Sequence, residues 1–93
     1  MISSEEILSM NLKYYRQKYN LSQELFAEKV GSNLVYINQL ENCKRKPTID
    51  MLDKIATGMN SNIDPKLNMT SSELLRYDKE HKTTFNRVDQ KKK

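Results

Sequence analysis

Apolar residues fall on helical spacings along most of the chain. Leu8, Leu12, Tyr15 and Tyr19 recur at intervals of four, three and four, which lines one face of a helix. Ser3 or Ser4 stands before this run as a cap, and Glu5 and Glu6 suit the first turn of the macrodipole. Asn20, which tolerates the left-handed region, closes the helix near Tyr19. Ser22 caps a shorter second helix carrying Leu25, Phe26, Ala27 and Val30, and Gly31 stops it. Only Gly31, Ser32 and Asn33 separate it from a third helix, which Asn33 caps and which buries Ile37 and Leu40. Asn42 and Cys43 end that helix, and Lys44-Arg45-Lys46 leads to Pro47. Thr48 caps a fourth helix with Ile49, Leu52, Ile55, Ala56 and Met59 inward, in which Gly58 is tolerated at ~1 kcal/mol relative to alanine.

Beyond Met59 the pattern changes. Residues 60–69 read as a loop rich in Asn with Pro65 inside it, and Thr70-Ser-Ser-Glu73 reads as a capping box opening a fifth helix with Leu74, Leu75 and Tyr77 on its apolar face. From Asp78 the periodicity is lost in a polar, basic stretch with isolated Phe85 and Val88. The expected organisation is a folded domain over residues 1–77 and a flexible tail over 78–93. No segment alternates with period two and none repeats, so the expected fold class is all-α, a compact five-helix bundle.

Composition narrows the chemistry. The 93 residues allow one small core, which dimerisation would naturally supplement. The lone Cys43 has no disulfide partner, and His81, the single histidine, is distant from it, so neither a metal site nor a cofactor is expected. No run approaches the ~18 apolar residues of a membrane span, and MISSEEILSM lacks a basic segment followed by an apolar one. A reducing cytoplasmic setting is expected, with no membrane partner. The net charge is +4, with ten Lys/Arg against nine Asp/Glu in residues 1–77 and six against three in 78–93. Overall charge is therefore weak evidence for nucleic acid. The triplet Lys44-Arg45-Lys46 says more, because it follows the third helix directly. No nucleophile and base pair and no Gly-rich phosphate loop is present, so the chain is not expected to be an enzyme.

Two short helices joined by a tight Gly-containing turn make a helix-turn-helix, which projects its second helix as a shape that fits the DNA major groove. The stretch from Leu12 to Met59 resembles the phage repressor and Cro family of helix-turn-helix domains, the xenobiotic-response-element type. The matching elements are Arg16, Leu-Ser-Gln at 21–23, Phe-Ala at 26–27, Val30-Gly31, Tyr-Ile at 36–37, Gln-Leu-Glu-Asn at 39–42, Lys44, Pro47 and the Leu52…Ile-Ala pattern. They span about half the chain. Ser-Ser-Glu-Leu-Leu at 71–75 is similar to the family's last helix, arriving after a longer loop than usual.

The resemblance implies a lambda-repressor-like fold and a transcriptional regulator, expected to repress, that binds a near-palindromic double-stranded operator as a homodimer. It places Gln39 at a base-contacting position, where Gln can pair bidentately with adenine. Asn38 reads a neighbouring base or a phosphate, and Asn33 is both a cap and a candidate contact. Leu34 and Val35 replace the family's usual polar residues at the head of the recognition helix; either they meet thymine methyl groups or one of them packs inward. Gln23, Tyr36, Asn42, Lys44, Arg45 and Lys46 are the expected phosphate contacts. Where family members usually carry Gly, this chain has Cys43, and Asn42 is expected to take the left-handed conformation instead. Arg16 and Glu41 match a structural ion pair of the family. Leu74, Leu75 and Tyr77 are the expected dimer surface, with one of the adjacent leucines inward and the other toward a partner. A second reading uses the same scaffold as an antitoxin or other interaction module, binding a regulatory protein partner through the 60–69 loop or the tail.

Overall fold

Helix α1 (Ser4–Lys18) begins on a reciprocal cap: the Ser3 hydroxyl accepts from the Glu6 N–H at 3.1 Å, and the Glu6 carboxylate accepts from the Ser3 N–H at 2.9 Å. The computed structural model describes residues 2–81, and the reading of residues 82–93 as tail lies outside it. Tyr19 ends α1, and Asn20 follows at φ +59°, in the left-handed region that Asn tolerates. Helix α2 (Gln23–Lys29) is capped by Ser22, and Gly31 turns the chain at φ +73°. Helix α3 (Leu34–Glu41) starts where the Asn33 side chain accepts from the Tyr36 N–H at 2.9 Å. Thr48 opens α4 (Ile49–Asn62), and Thr70 opens the four-residue α5 (Ser71–Leu74). Every described residue is helical, turn or irregular, with no strand among them.

The five helices pack round one core. Leu8 and Leu12 of α1, Phe26 and Ala27 of α2, Ile37 and Leu40 of α3, and Leu52, Ile55 and Met59 of α4 are buried together, with Met69 and Leu74 closing one end. Helix α1 lies against α3 and α5, α2 against α3 and α4, and α4 against α5. No helix among the described residues is long and apolar enough to cross a membrane.

Four sequence expectations are corrected. Ile49 is 70% exposed rather than inward, because it occupies the first position of α4, beyond the edge of the core. Helix α4 runs three residues past Met59, and a 3₁₀ turn (Pro65–Leu67) follows. The Asn60 amide fixes this extension by donating to the Met69 carbonyl at 2.9 Å and accepting from its N–H at 2.7 Å. Gly58 is a close-approach position: a Cβ there would lie 2.5 Å from the Val30 Cα. The Glu73 carboxylate pairs with Arg76 at 3.0 Å, so the Thr70 cap is made from one side only.

The start of the expected tail is packed. His81 is 6% exposed, its ring stacked on Tyr14 at 3.7 Å between centroids. Its Nδ1 lies 2.6 Å from the Asn11 Oδ1. The Asn11 amide nitrogen donates to the carbonyls of Leu74 and Arg76, which leaves Oδ1 as an acceptor. The proton between them therefore sits on His81 Nδ1. Burial holds the His81 pKa below its ordinary value, with Asp78 opposing that shift.

Candidate nucleic-acid interface

The turn between α2 and α3 is closed by Ser32, whose N–H donates to the Ala27 carbonyl at 2.8 Å. Gly31 supplies the left-handed residue the turn requires. Within α3, Ile37, Leu40 and Glu41 face the core. Leu34, Val35, Asn38 and Asn42 are exposed, while Tyr36 and Gln39 flank them half-buried. Leu34 is 45% and Val35 65% exposed, so of the two readings left open, inward packing is the one that fails.

Arg16 and Glu41 meet in a buried, two-pronged ion pair. Arg16 Nε lies 2.8 Å from Glu41 Oε2 and Nη2 2.9 Å from Oε1, while Nη1 donates to the Leu21 carbonyl at 3.0 Å. The Ser9 hydroxyl donates to the Glu41 backbone carbonyl. Two charges taken out of water need such full satisfaction, and here each prong of the guanidinium has a partner. The pair ties α1 to α3.

Gln23 joins this pair rather than projecting freely from the start of α2. Its amide nitrogen donates to Glu41 Oε1 at 2.9 Å, and its oxygen accepts from Asn38 Nδ2 at 3.2 Å. Asn42 Nδ2 in turn donates to the Asn38 backbone carbonyl at 2.9 Å. A polar chain thus runs from the buried guanidinium to the exposed amides of α3. The family resemblance implied the pairing of Arg16 with Glu41; that Gln23 joins them is a tertiary contact no local pattern announces.

The end of α3 corrects another expectation. Asn42 has an ordinary φ of −101°, and Cys43 itself stands at φ +59°. The Cys43 N–H donates to the Leu40 carbonyl and the Lys44 N–H to the Gln39 carbonyl at 2.8 Å, the paired bonds of a Schellman ending. That geometry demands the left-handed residue one place after the cap, whatever its identity.

Lys44, Arg45 and Lys46 emerge from this turn exposed. Arg45 folds back over α3: its Nε donates to Gln39 Oε1 at 2.7 Å, and its guanidinium carbon lies 5.1 Å from the Tyr36 ring centroid. Burial pushes the Tyr36 hydroxyl pKa up, and Arg45 opposes this. Of the adjacent leucines, Leu74 is fully buried, while Leu75 packs only partly against the core. Tyr77 is 45% exposed. No group of His, Cys, Asp and Glu able to hold a metal ion occurs among the described residues.

A family model described as helix-turn-helix matches residues 12–65, which include α2, the turn and α3. The control protein C.SmaI of Serratia marcescens is 40% identical over 63 residues, covering 68% of this chain and 74% of that protein. No solved structure matches.

Proposed function

The chain belongs to the helix-turn-helix family of DNA-binding transcription regulators, and from that premise we propose that it binds a near-palindromic operator as a homodimer through α3 and represses transcription by occupying it. The observation that carries this reading is the exposed face of α3, with Leu34, Val35, Asn38 and Asn42 outward and three cations beside it, on a helix tied to the core by the Arg16–Glu41 pair. Asn33, Leu34, Val35, Asn38 and Gln39 meet base edges, the two apolar residues against thymine methyl groups. Tyr36, Asn42, Lys44 and Lys46 fix the register on phosphates, and Arg45 adds its charge beside them. Gln23 positions Asn38, and the second hydrogen of its amide nitrogen serves the phosphate contact expected of it.

One recognition helix spans few base pairs, so useful selectivity calls for two copies on half-sites roughly 34 Å apart. Leu75, the C-terminal cap of α5, and Tyr77, two residues on, are the surface proposed to join them. A control function, the role named for the Serratia relative, is carried over here as regulation of transcription in the cytoplasm without catalysis.

Selection from a pool of random duplexes tests this directly. A two-fold symmetric consensus is expected. Three cations on each of two subunits should weaken binding on the order of 1,000-fold between about 50 and 200 mM salt. A pool that yields no consensus, or an affinity flat across that range, overturns the reading.

A further inference from the structure

We propose that Arg45 is a base reader, a guanidinium fork preset by Gln39 and Tyr36 to recognise guanine, rather than one of three equivalent phosphate contacts. The inference deepens the proposed function and rests on α3 being the helix that enters the major groove. Lys44, Arg45 and Lys46 form one charge run in the sequence, and a phosphate clamp asks nothing more of them than charge. The structure separates them. Arg45 alone of the three turns back along the helix, with Nε held by the Gln39 side-chain oxygen at 2.7 Å and its plane over Tyr36.

That fixation decides which edge of the guanidinium remains free. With Nε committed to Gln39, the two terminal nitrogens are left side by side as parallel donors. Guanine offers the matching pair of acceptors, O6 and N7, on its major-groove edge, and no other base presents two acceptors there. A phosphate also accepts a fork, but it lies on the rim of the groove. Arg45 is drawn off the rim onto the face that carries Gln39, the position also assigned to base contact. A long side chain ordered before binding loses less rotamer freedom on contact, which favours a directional bond over diffuse attraction. Gln39 then acts in two ways. Its oxygen orients Arg45, and its amide nitrogen remains a donor for an acceptor on the neighbouring base.

The test compares the wild-type chain with Arg45→Ala in selection from random duplexes, followed by titration of the wild-type consensus carrying 7-deazaguanine, which lacks N7, at single positions. Wild type is expected to select guanine at one position of each half-site. Arg45→Ala should lose preference there while keeping it elsewhere, with about tenfold or greater loss on the consensus. Deazaguanine at that position should weaken wild type and leave Arg45→Ala unchanged. If Arg45→Ala keeps the whole consensus and weakens every sequence alike, Arg45 is a phosphate contact and the proposal fails. A wild-type pool without any consensus overturns the proposed function as well, so the two failures are distinguishable. Arg45 is exposed, so its truncation leaves the core intact.

Discussion

Gly58 of α4 and Val30 at the end of α2 touch backbone to backbone, with no room between them for a methyl group. The two helices can cross this closely only because Gly58 lacks a Cβ. Gly58→Ala would ordinarily favour a helix, yet here its Cβ would fall 2.5 Å from the Val30 Cα. Overpacking against backbone cannot be relieved by a rotamer change, so the variant should lose about 1–3 kcal/mol despite the better propensity. Thermal unfolding measures this, and an unchanged or raised midpoint would contradict the contact.

The buried pair of Arg16 and Glu41 should show the asymmetry of desolvated charges. Arg16→Met strands the Glu41 carboxylate, with a side chain 0% exposed, and should cost about 3–5 kcal/mol. Adding Glu41→Leu removes the stranded charge and should recover much of that loss. Urea midpoints of the two single variants and the double variant close the cycle. A double variant no better than Arg16→Met would show that the pair's hydrogen bonds to Leu21 and Gln23 matter more than its charges.

The adjacent leucines of the α5 region should part company when charged. Leu74 is 0% exposed, so Leu74→Glu should unfold the domain. Leu75 lies at the edge of the core, and Leu75→Glu should give a folded monomer with much weaker operator binding. Circular dichroism reports folding and sedimentation reports mass. A folded Leu75→Glu dimer would remove this surface from the proposed interface.

His81 should make stability fall on the acid side of neutrality. Burial depresses its pKa in the folded chain, against the pull of Asp78 at 3.5 Å. The unfolded chain therefore binds the proton more readily. Stability from the neutral ring is complete above the ordinary histidine value of about 6.5 and is lost as pH falls through the lower folded value. Melting temperature should drop from pH 7 toward pH 5 in wild type. The drop should be smaller in His81→Phe, which keeps a ring against Tyr14. Equal drops in both would assign the effect to other groups.

Features decided within four residues were the ones legible in the sequence. Ser22, Asn33, Thr48 and Thr70 cap the helices they precede, Asn20 takes the positive φ expected of it, and Gly31 stops α2 as expected. Local hydrogen bonding settles such positions, so residue type announces them. What escaped depends on distant chain. The extension of α4 rests on Asn60 reaching residue 69, and the tight crossing at Gly58 depends on where Val30 lies. His81 looked like tail because its partners, Asn11 and Tyr14, are some seventy residues earlier. Cys43 shows the opposite failure: residue preference pointed to Asn42, and the hydrogen-bond closure of α3 overrode it. In the candidate interface the outward face of α3 was readable from its period. The engagement of Gln23 with Glu41, and the withdrawal of Arg45 from its neighbours, were not.

On the proposed mode of DNA binding, the polar chain from Arg16 through Glu41 and Gln23 to Asn38 changes what a wrong base would cost. An exposed amide on a loose surface can swing aside to accommodate a mismatch, and discrimination suffers. Here Asn38 cannot turn without releasing Gln23, and Gln23 cannot move without withdrawing a donor from a carboxylate sealed inside the protein. On that mode of binding a misfit at Asn38 is carried through Gln23 to the edge of the buried Arg16–Glu41 pair, which keeps its own two prongs but loses a third hydrogen bond. Selectivity exercised through Asn38 would in this sense be anchored behind the surface, and a substitution of Arg16 on α1 should blur it.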